Sequence, residues 1–511
     1  MKLSIKDIRK GYEIIKRKAY QEFEKGNIQG SLENIDHAVT LAQQFNWIYA
    51  DAEIEDLIEA ISQRIIVKNI DYKSNNNRVV FLDDYCRTFV LALQYLKALS
   101  NTGAEILYIT GKDFSSATSL GYALEYIEKI PNITIEIIPQ NDDSVIRIQQ
   151  IFDKVISYGP SKCILHLTAK SIFIPVLYSL PVQIERYIIN LADQTFWLGS
   201  KAIDYSLEFR QFGASVSLQR RGLKKEQLLL IPFYPIEDNN PFQGINTTIK
   251  NKIVIFSGGD FYKTIDKGYT YWELVKNIIE ENSSVIFLYA TKVDSHGSQQ
   301  FIQDFIEKNK FEGRFVYIGF RQDINEVFKV CDIYMGTCPA SGSLMSQLAA
   351  VNAKPILQFY DPNTPDDETE SVICYNNNQQ ISFNNKRLFL DEAKRLISDG
   401  DYRTKRGIEL QQCMITPTQF DQLVKKTLSE NKTQIPITPY IINYKQLDDR
   451  WFAIEKKGYT DTKKFFISIL TKETLYKKLP VVWIKYLIAR YFTDKIINSA
   501  WYYHWFSKIF K

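Results

Sequence analysis

The stretch KIVIFSGGDFYKTIDKG (252–268) joins a strand to a glycine-rich turn. Its first residues form an apolar run of strand length, which is typical of a strand covered on both faces of a parallel sheet. Gly258, Gly259 and Asp260 follow this run, and Lys263 comes within one further turn. Glycine lets the backbone approach a ligand closely, and free N–H groups beside a lysine favour an anion. The stretch therefore predicts a βα unit with an anion-binding turn, although an ordinary strand-to-helix turn has the same pattern.

The same alternation of strand and helix continues on both sides of this stretch. In the second half of the chain, strand-like runs lie at 252–259, 284–291, 314–320, 332–337 and 354–359. In the first half they lie at 78–85, 105–110, 133–138, 163–168 and 185–193. Helical stretches separate these runs, so we predict two Rossmann-like, doubly wound α/β domains over 74–240 and 241–430. Open α/β sheets bind ligands beyond the carboxyl ends of their strands, which predicts a site in a cleft between the domains.

Residues 1–73 have helical periodicity and almost no strand signal. The segment 19–45 predicts two helices that break at Gly26 and Asn27. A tetratricopeptide-like helical hairpin fits this pattern, but repeat arrays need about three copies and no second copy follows. A helical cap packed on the next domain is the simpler interpretation.

Residues 431–511 are predicted to form a basic, aromatic helical tail. Within it, 441–511 hold 14 Lys and Arg against 6 Asp and Glu, together with 17 aromatic residues. This composition is typical of an interfacial helix on an anionic membrane surface. The alternative is a basic helical lid packed on the two sheet domains.

The composition of the whole chain excludes several classes of protein. Of its 511 residues, 45% are hydrophobic and 24% are charged, which is the globular range rather than the disordered one. A net charge of +4 argues against a nucleic-acid partner. The six cysteines form no C-x-x-C pair, which predicts reduced thiols in a cytoplasmic protein. The sequence contains neither the apolar core of a signal peptide nor an uncharged apolar run of about 18 residues, so we expect no spanning helix.

A second anion-binding loop is predicted in CDIYMGTCPASGSLMSQLAA (331–350). A strand ends there, and Ser341, Gly342 and Ser343 lead into a helix. A helix N-terminus carries a partial positive charge and free N–H groups, which suit a diphosphate. The two serines are also ordinary helix caps, a role that is compatible with phosphate binding.

Three further positions are candidates for binding or catalysis. Arg321 ends the strand before the second loop and is placed to contact a phosphate while its loop packs on a base. In the first domain, His166 and Asp193 each follow a buried strand and are the candidate general bases. Alternatively, His166 is a hydrogen-bonded structural residue and Asp193 caps a helix or turn. Asp83 and Asp84, which end the first strand, are weaker candidates for the general base.

These residues resemble those of the inverting GT-B glycosyltransferases, the group that includes the O-linked N-acetylglucosamine transferases and the bacterial adhesin glucosyltransferases. Tyr262 and Lys263 match the group's Tyr-Lys loop. The layout of its second phosphate loop is matched by Asp332, Thr337, Pro339, Ser341, Gly342 and Ser343. The stretch 191–222 is also similar to a segment of bacterial glycosyltransferases, and the whole resemblance covers about residues 78–425.

The resemblance implies a GT-B fold and a nucleotide-diphosphate sugar donor, which we expect to be UDP-linked. It implies that Lys263 stabilises the leaving diphosphate and takes part in catalysis. The loops and the resemblance together predict donor binding by Gly258, Gly259, Asp260, Arg321, Ser341, Gly342, Ser343 and Gln347. Two departures are clear. Leu344 and Met345 stand where the group has a pair of threonines, and Gln347 or Leu348 stands where it has a ribose-binding acid.

The absence of glutamate from one stretch of the sequence bears on the stereochemistry of sugar transfer. Retaining GT-B enzymes usually carry Glu-x7-Glu across the second loop's helix, whereas residues 327–360 contain no glutamate. This favours inversion without an obligatory metal or other cofactor. Asp399-Gly400-Asp401 matches the metal-binding D-x-D of another glycosyltransferase class, but a polar turn explains it more simply.

Three functions are open to this sequence. The first is transfer of a sugar from a nucleotide-diphosphate donor to a glycan, a lipid-linked glycan or, as a lesser alternative, a protein. The enzyme would be cytoplasmic, and its tail would place it at the inner membrane face. The second is a sugar-phosphate epimerase or polyol-phosphate transferase. Epimerases of this fold need a histidine near the donor, and the sequence of the second domain offers only His296, in a predicted loop, which argues against this function. The third is a non-catalytic partner of a glycosyltransferase, which Leu344 and Met345 favour.

Overall fold

The computed structural model describes residues 5–66, 71–84, 89–111, 126–139, 141, 143–236, 240–266, 268–292, 298–360, 369–374 and 379–455. Most of the predicted tail, residues 456–511, lies outside the described residues, as does His296.

The first sheet has seven described strands, all paired in parallel, in the order β3-β2-β1-β4-β5-β6-β7. Its strands are β1 (Asn75–Asp83), β2 (Glu105–Thr110), β3 (Ile133–Ile137), β4 (Pro160–His166), β5 (Glu185–Ile189), β6 (Tyr205–Glu208) and β7 (Leu228–Leu230). The strand order reverses between β1 and β4. The carboxyl ends of these two strands therefore form the topological switch point, where open α/β sheets bind ligands.

The second sheet has six described strands, again all paired in parallel, in the order β10-β9-β8-β11-β12-β13. Its strands are β8 (Ile253–Gly258), β9 (Val285–Ala290), β10 (Phe315–Tyr317), β11 (Ile333–Met335), β12 (Ile356–Phe359) and β13 (Ser382–Phe383). Its switch point lies between β8 and β11. The prediction of two doubly wound parallel domains is confirmed.

Helices cover both sheets and form the N-terminal cap. They are α1 (Ile5–Glu24), α2 (Ile28–Phe45), α3 (Ala52–Ile65), α4 (Phe89–Asn101), α5 (Ser144–Tyr158), α6 (Phe173–Leu177), α7 (Gln211–Arg220), α8 (Thr270–Glu281), α9 (Ser298–Asn309), α10 (Ile324–Val330), α11 (Ser343–Val351), α12 (Glu370–Ile373), α13 (Lys386–Ser398), α14 (Gly400–Cys413), α15 (Pro417–Glu430) and α16 (Tyr444–Glu455). Short 3-10 turns lie at Lys225–Gln227 and Phe261–Thr264. No helix in the described part of the chain has the length and apolar character needed to cross a membrane.

The N-terminal helices pack on the first sheet domain rather than standing alone. Ile35 of α2 and Ile58 of α3 belong to the same buried cluster as Val80 of β1 and Leu165 of β4. Burying apolar area against the sheet stabilises a helical hairpin that is too short to form a repeat array. Helices α2 and α3 thus share a buried core with the first sheet.

A buried carboxylate fixes the cap to the first domain. Glu55 of α3 is fully buried and accepts hydrogen bonds from the backbone N–H groups of Gly199 (2.7 Å) and Ser200 (3.1 Å). The Ser200 hydroxyl donates at 3.3 Å, and the Tyr178 hydroxyl also donates to Glu55. Burial raises the pKa of Glu55, while these donors favour its charged form.

Glu55→Ala is expected to destabilise the protein by about 3 kcal/mol or more, because each buried donor left unsatisfied costs about 1–3 kcal/mol. Urea unfolding followed by tryptophan fluorescence measures this loss. Glu59→Ala, which removes an exposed carboxylate from the same helix, is the matched control. Equal losses in the two variants would show that Glu55 does not hold the cap in place.

The last described helices return from the second domain to the first. The Phe420 ring of α15 packs edge-on against Tyr95 of α4, with ring centroids 5.2 Å apart. Asn101 donates to Asp421 at 2.6 Å, and the Thr433 hydroxyl accepts from the backbone N–H of Leu230 at 3.1 Å. The chain thus connects the two sheet domains twice.

Candidate active site

Two loops meet at the switch point of the second sheet. One follows β8 and carries Gly258, Gly259 and the 3-10 turn with Lys263; the other follows β11 and leads into α11. The backbone N–H of Ala340 donates to the carbonyl oxygen of Lys263 at 3.3 Å, which joins the two loops directly. The two anion-binding loops predicted from sequence are therefore neighbours in space.

Lys263 points toward the N-terminus of α11. A Cβ atom placed on Gly342 would lie 3.9 Å from the Lys263 ammonium nitrogen. Gly342 is the N-cap residue of α11, and its position provides no side-chain hydrogen bond to the first turn. The free N–H groups of that turn and the lysine charge therefore act on the same point, which is the arrangement that binds a phosphate.

The serines beside Gly342 are half-buried and remain accessible to a ligand. Ser341 and Ser343 flank the N-cap, and Asp260 is exposed at the start of the neighbouring 3-10 turn. The Thr337 hydroxyl donates to the carbonyl oxygen of Ala340 at 2.7 Å and stiffens the loop before α11. The site presents backbone N–H groups, small hydroxyls and one lysine around a single point.

Gly259 occupies a backbone conformation that other residues adopt at a cost. Its φ is +148°, while an added Cβ would have ordinary contacts with Thr337 and Lys263 at 3.6 and 3.7 Å. Gly259→Ala is expected to destabilise the protein by about 1–3 kcal/mol through backbone strain, measured by urea unfolding. Gly268→Ala, at a glycine without positive φ, is the control. A Gly259→Ala protein as stable as that control would contradict the strained turn.

The switch point of the first sheet holds a buried hydrogen-bonded triad. His166, at the end of β4, is fully buried, and its Nδ1 lies 3.0 Å from Oδ1 of Asp83, at the end of β1. The Tyr108 hydroxyl donates to the other Asp83 oxygen at 2.9 Å. Asp84 accepts from the Thr168 backbone N–H at 2.6 Å. His166 lies at the predicted edge, but burial separates it from an incoming acceptor, and its role as a base stays a prediction.

Asp193 lies in a buried ion pair. Its two carboxylate oxygens accept from Nε and Nη2 of Arg210 at 2.6 and 2.9 Å, and both side chains are almost fully buried. Arg221 donates to the Asp193 backbone carbonyl at 2.7 Å. These contacts give Asp193 a structural role, and its predicted role as a general base has no support in this geometry.

Comparison by sequence gives no relatives: no protein-family model and no curated protein matches the chain. Comparison by structure does. A glycosyltransferase from Rickettsia africae superposes with a TM-score of 0.50 at 11% identity, over 70% of this chain and 98% of that one. The chain has the GT-B fold.

Two further GT-B structures are similar at lower scores. Anabaena HepE, solved in complex with UDP and glucose, has 12% identity over 69% of this chain and 99% of its own, with a TM-score of 0.48. The Thermobaculum terrenum O-GlcNAc transferase has 12% identity over 88% of this chain and 85% of its own, with a TM-score of 0.46. At such identities the likeness concerns the fold.

Two of the predicted donor-binding residues of this GT-B chain are engaged within the protein. Arg321 donates from Nε and Nη2 to the Asp323 carboxylate at 2.8 and 2.6 Å, and from Nη1 to the Gly244 carbonyl at 2.7 Å. Gln347 is buried, and its amide donates to the Phe233 carbonyl at 3.1 Å. Both side chains hold the interdomain linker against the second domain, and their contacts with a donor stay predictions.

An aromatic side chain near Arg321 faces solvent. Phe320 is 64% exposed beyond the carboxyl end of β10, in the loop predicted to pack on a base. An exposed aromatic face at this edge of the sheet is a stacking surface for a planar ring. The loop was predicted from the sequence, and the structure shows in addition that the Phe320 ring is exposed.

One carboxylate at the first switch point was missed by the sequence analysis. Asp36 of the cap helix α2 is exposed and lies within electrostatic reach of Asp84 and Lys170. Although the Asp36 side chain keeps contact with solvent, the protein packed around it desolvates the carboxylate and raises its pKa to about 6; Lys170 opposes this shift, and Asp84 and Glu33 add to it. Its position between buried residues of an amphipathic helix was the one available signal.

The D-x-D segment belongs to a helix start. Asp399 caps α14 by accepting from the Tyr402 backbone N–H at 2.9 Å, and Asp401 lies in the first turn. The described residues contain no group of three or more His, Cys, Asp or Glu side chains able to hold a metal ion together.

Proposed function

We propose that this chain is a glycosyltransferase that moves a sugar from a nucleotide-diphosphate donor. The observation that carries the proposal is the position of Lys263 at the N-terminus of α11, with its ammonium 3.9 Å from the Cβ position of Gly342. The lysine charge and the helix N-terminus converge at the switch point of a GT-B domain. A diphosphate bound there would contact Lys263 on one side and the first-turn N–H groups of α11 on the other.

The same arrangement suits the departure of a diphosphate. When the bond from the anomeric carbon to phosphate breaks, negative charge develops on the phosphate oxygens. Lys263 and the first-turn N–H groups of α11 are fixed in place and stabilise that charge without reorganisation. A site of this kind needs no metal, in line with the inverting, metal-independent reaction that the lack of glutamate in 327–360 favours.

For the donor we propose a uridine nucleotide, as the sequence resemblance implies, with its base near Phe320. For the acceptor we propose a glycan or a lipid-linked glycan. The basic, aromatic character of 441–511 supports a lipid-linked acceptor at an anionic membrane surface. The ring of Phe320, 64% exposed, supports base stacking.

A thermal-shift panel of nucleotides and nucleotide sugars tests the donor proposal. At a ligand concentration 100 times Kd, binding adds about 2.7 kcal/mol of stability, which shifts the melting temperature clearly. We expect a shift with uridine diphosphate and one or more UDP-sugars but not with uridine. A protein that no nucleotide stabilises would instead be the non-catalytic partner, consistent with Leu344 and Met345 in place of the group's threonines.

A further inference from the structure

The cap helix α2 lies along the carboxyl edge of the first sheet. Near its start, the Gln29 side chain accepts from the backbone N–H of Ser144, at the beginning of the helix that follows β3 (3.0 Å). At its end, Asn46 donates to the Gln194 carbonyl, in the loop that follows β5 (2.6 Å). The Phe196 backbone N–H donates back to Asn46 at 2.9 Å.

The contacts of Gln29 and Asn46 determine which part of the sheet the middle of α2 lies over. In the order β3-β2-β1-β4-β5, the strands between the anchors include β1 and β4, which form the switch point. The central residues of α2 therefore lie over the carboxyl ends of β1 and β4. The electrostatic coupling of Asp36 with Asp84, just after β1, and with Lys170, in the loop after β4, agrees with this placement.

Asp36 projects from the polar side of α2. Its neighbours Ile35, Ala38 and Val39 are buried, whereas Asp36 and Glu33 are exposed. The Asp36 carboxyl group is thus exposed to solvent on the polar side of α2. Within the described residues, its carboxylate oxygens have no hydrogen-bond partner, so they can accept a proton from a ligand.

The other acidic and basic candidates at this edge are engaged. His166 is fully buried against Asp83, and Asp193 is paired with Arg210. Asp84 accepts from the backbone N–H and the hydroxyl of Thr168, at 2.6 and 3.3 Å.

We propose that Asp36 is the general base of the transfer, with the N-terminal cap supplying a catalytic residue to the first domain's ligand edge. This inference rests on the proposed glycosyltransferase function. The acceptor hydroxyl oxygen forms a bond to the anomeric carbon, and its proton passes to the Asp36 carboxylate. The bond from that carbon to phosphate breaks, and its electron pair leaves with the nucleoside diphosphate.

The titration of Asp36 suits this role. A general base works best when its pKa lies near the working pH, and burial raises the pKa of Asp36 to about 6. The charged groups that face it are Lys170, Asp84 and Glu33. The carboxylate is the active form, so the rate should fall as the pH drops below about 6 and level off above about 7.

The test compares two acceptors that differ in their need for a base. The protein is given whichever UDP-sugar stabilises it in the thermal-shift panel, and UDP release is measured with water alone and with added azide. Water must lose a proton during attack, whereas azide carries none. Asp36→Asn is expected to lower water-dependent release by about 100-fold or more, to remove the acidic limb near pH 6, and to leave azide-dependent release unchanged.

Glu33→Gln, which neutralises the other exposed carboxylate of α2, is the matched control and should keep both rates and an acidic limb, which moves slightly to lower pH because Glu33 adds to the raised pKa of Asp36. Donor binding is checked separately by thermal shift, so that failure of the proposed function is distinguishable from failure of this inference. If Asp36→Asn releases UDP to water as fast as wild type, or loses the water and azide rates equally, Asp36 is not the base. Wild-type protein that binds the donor but releases no UDP under either condition also overturns the assignment.

Discussion

Lys263→Ala is expected to lower turnover of the nucleotide-sugar donor by about 10²–10³-fold, the usual effect of removing one fixed donor from a developing anion. The expected loss is large because the ammonium lies 3.9 Å from the Cβ position of Gly342 and faces the same point as the first-turn N–H groups of α11. Those groups remain in the variant, so some donor binding should persist. UDP release under saturating donor measures turnover, and thermal shift measures binding.

Lys308→Ala is the matched control for this substitution. Lys308 is an exposed lysine of α9 in the same domain, and its loss removes the same charge from the protein without touching either loop. We expect its turnover and its thermal shift to match wild type. If Lys263→Ala turns over the donor as fast as Lys308→Ala, the two loops do not form the diphosphate site.

Much of this fold follows from short-range patterns in the sequence. The stretch 252–268 predicted a strand, a turn and an adjacent lysine, and the structure places β8, Gly259 and Lys263 there. The pattern succeeds because a strand buried on both faces must be almost wholly apolar. The short strands β6, β7 and β13, of four, three and two residues, were not predicted. The three-residue strands β10 and β11 were predicted because longer apolar runs surround them.

Side-chain partners were harder to predict than backbone elements. Arg321 was expected at a phosphate, but Asp323 lies two residues away and engages two of its nitrogens at 2.8 and 2.6 Å. Asp193 was predicted as a base, and no pattern in the chain indicates that Arg210 is buried against it. Which charges pair depends on how loops from different strands meet, and this information is tertiary.

The candidate base Asp36 shows the same limit more sharply. Helical periodicity predicted α2 and its buried side, but Asp36 matters only because the helix crosses the carboxyl edge of the first sheet. That path is set by Gln29 and Asn46, whose partners are 115 and 148 residues away in the chain. The pattern within a single helix contains no such information.

Arg210→Met is expected to destabilise the protein by about 3–5 kcal/mol, the cost of breaking a buried ion pair from one side. Arg210 and Asp193 are 2% and 1% exposed, and the guanidinium donates to both carboxylate oxygens. Without it, the Asp193 charge remains buried with no cation against its carboxylate oxygens. The free energy of unfolding in urea, followed by tryptophan fluorescence, measures the loss.

Two comparisons separate the ion pair from simple loss of an arginine. Arg387→Met removes a side chain that is 90% exposed and 3.9 Å from Asp391, and it should change stability by about 0.5 kcal/mol or less. The double substitution Asp193→Leu with Arg210→Met removes both charges and should recover most of the loss, because apolar side chains can replace a buried pair. If Arg210→Met lowers the free energy of unfolding as little as Arg387→Met does, the Asp193 carboxylate is solvated rather than held in a buried ion pair. Asp193 would then regain its place beside Asp36 as a candidate base, and Asp193→Asn would have to be assayed with water and azide in the same way.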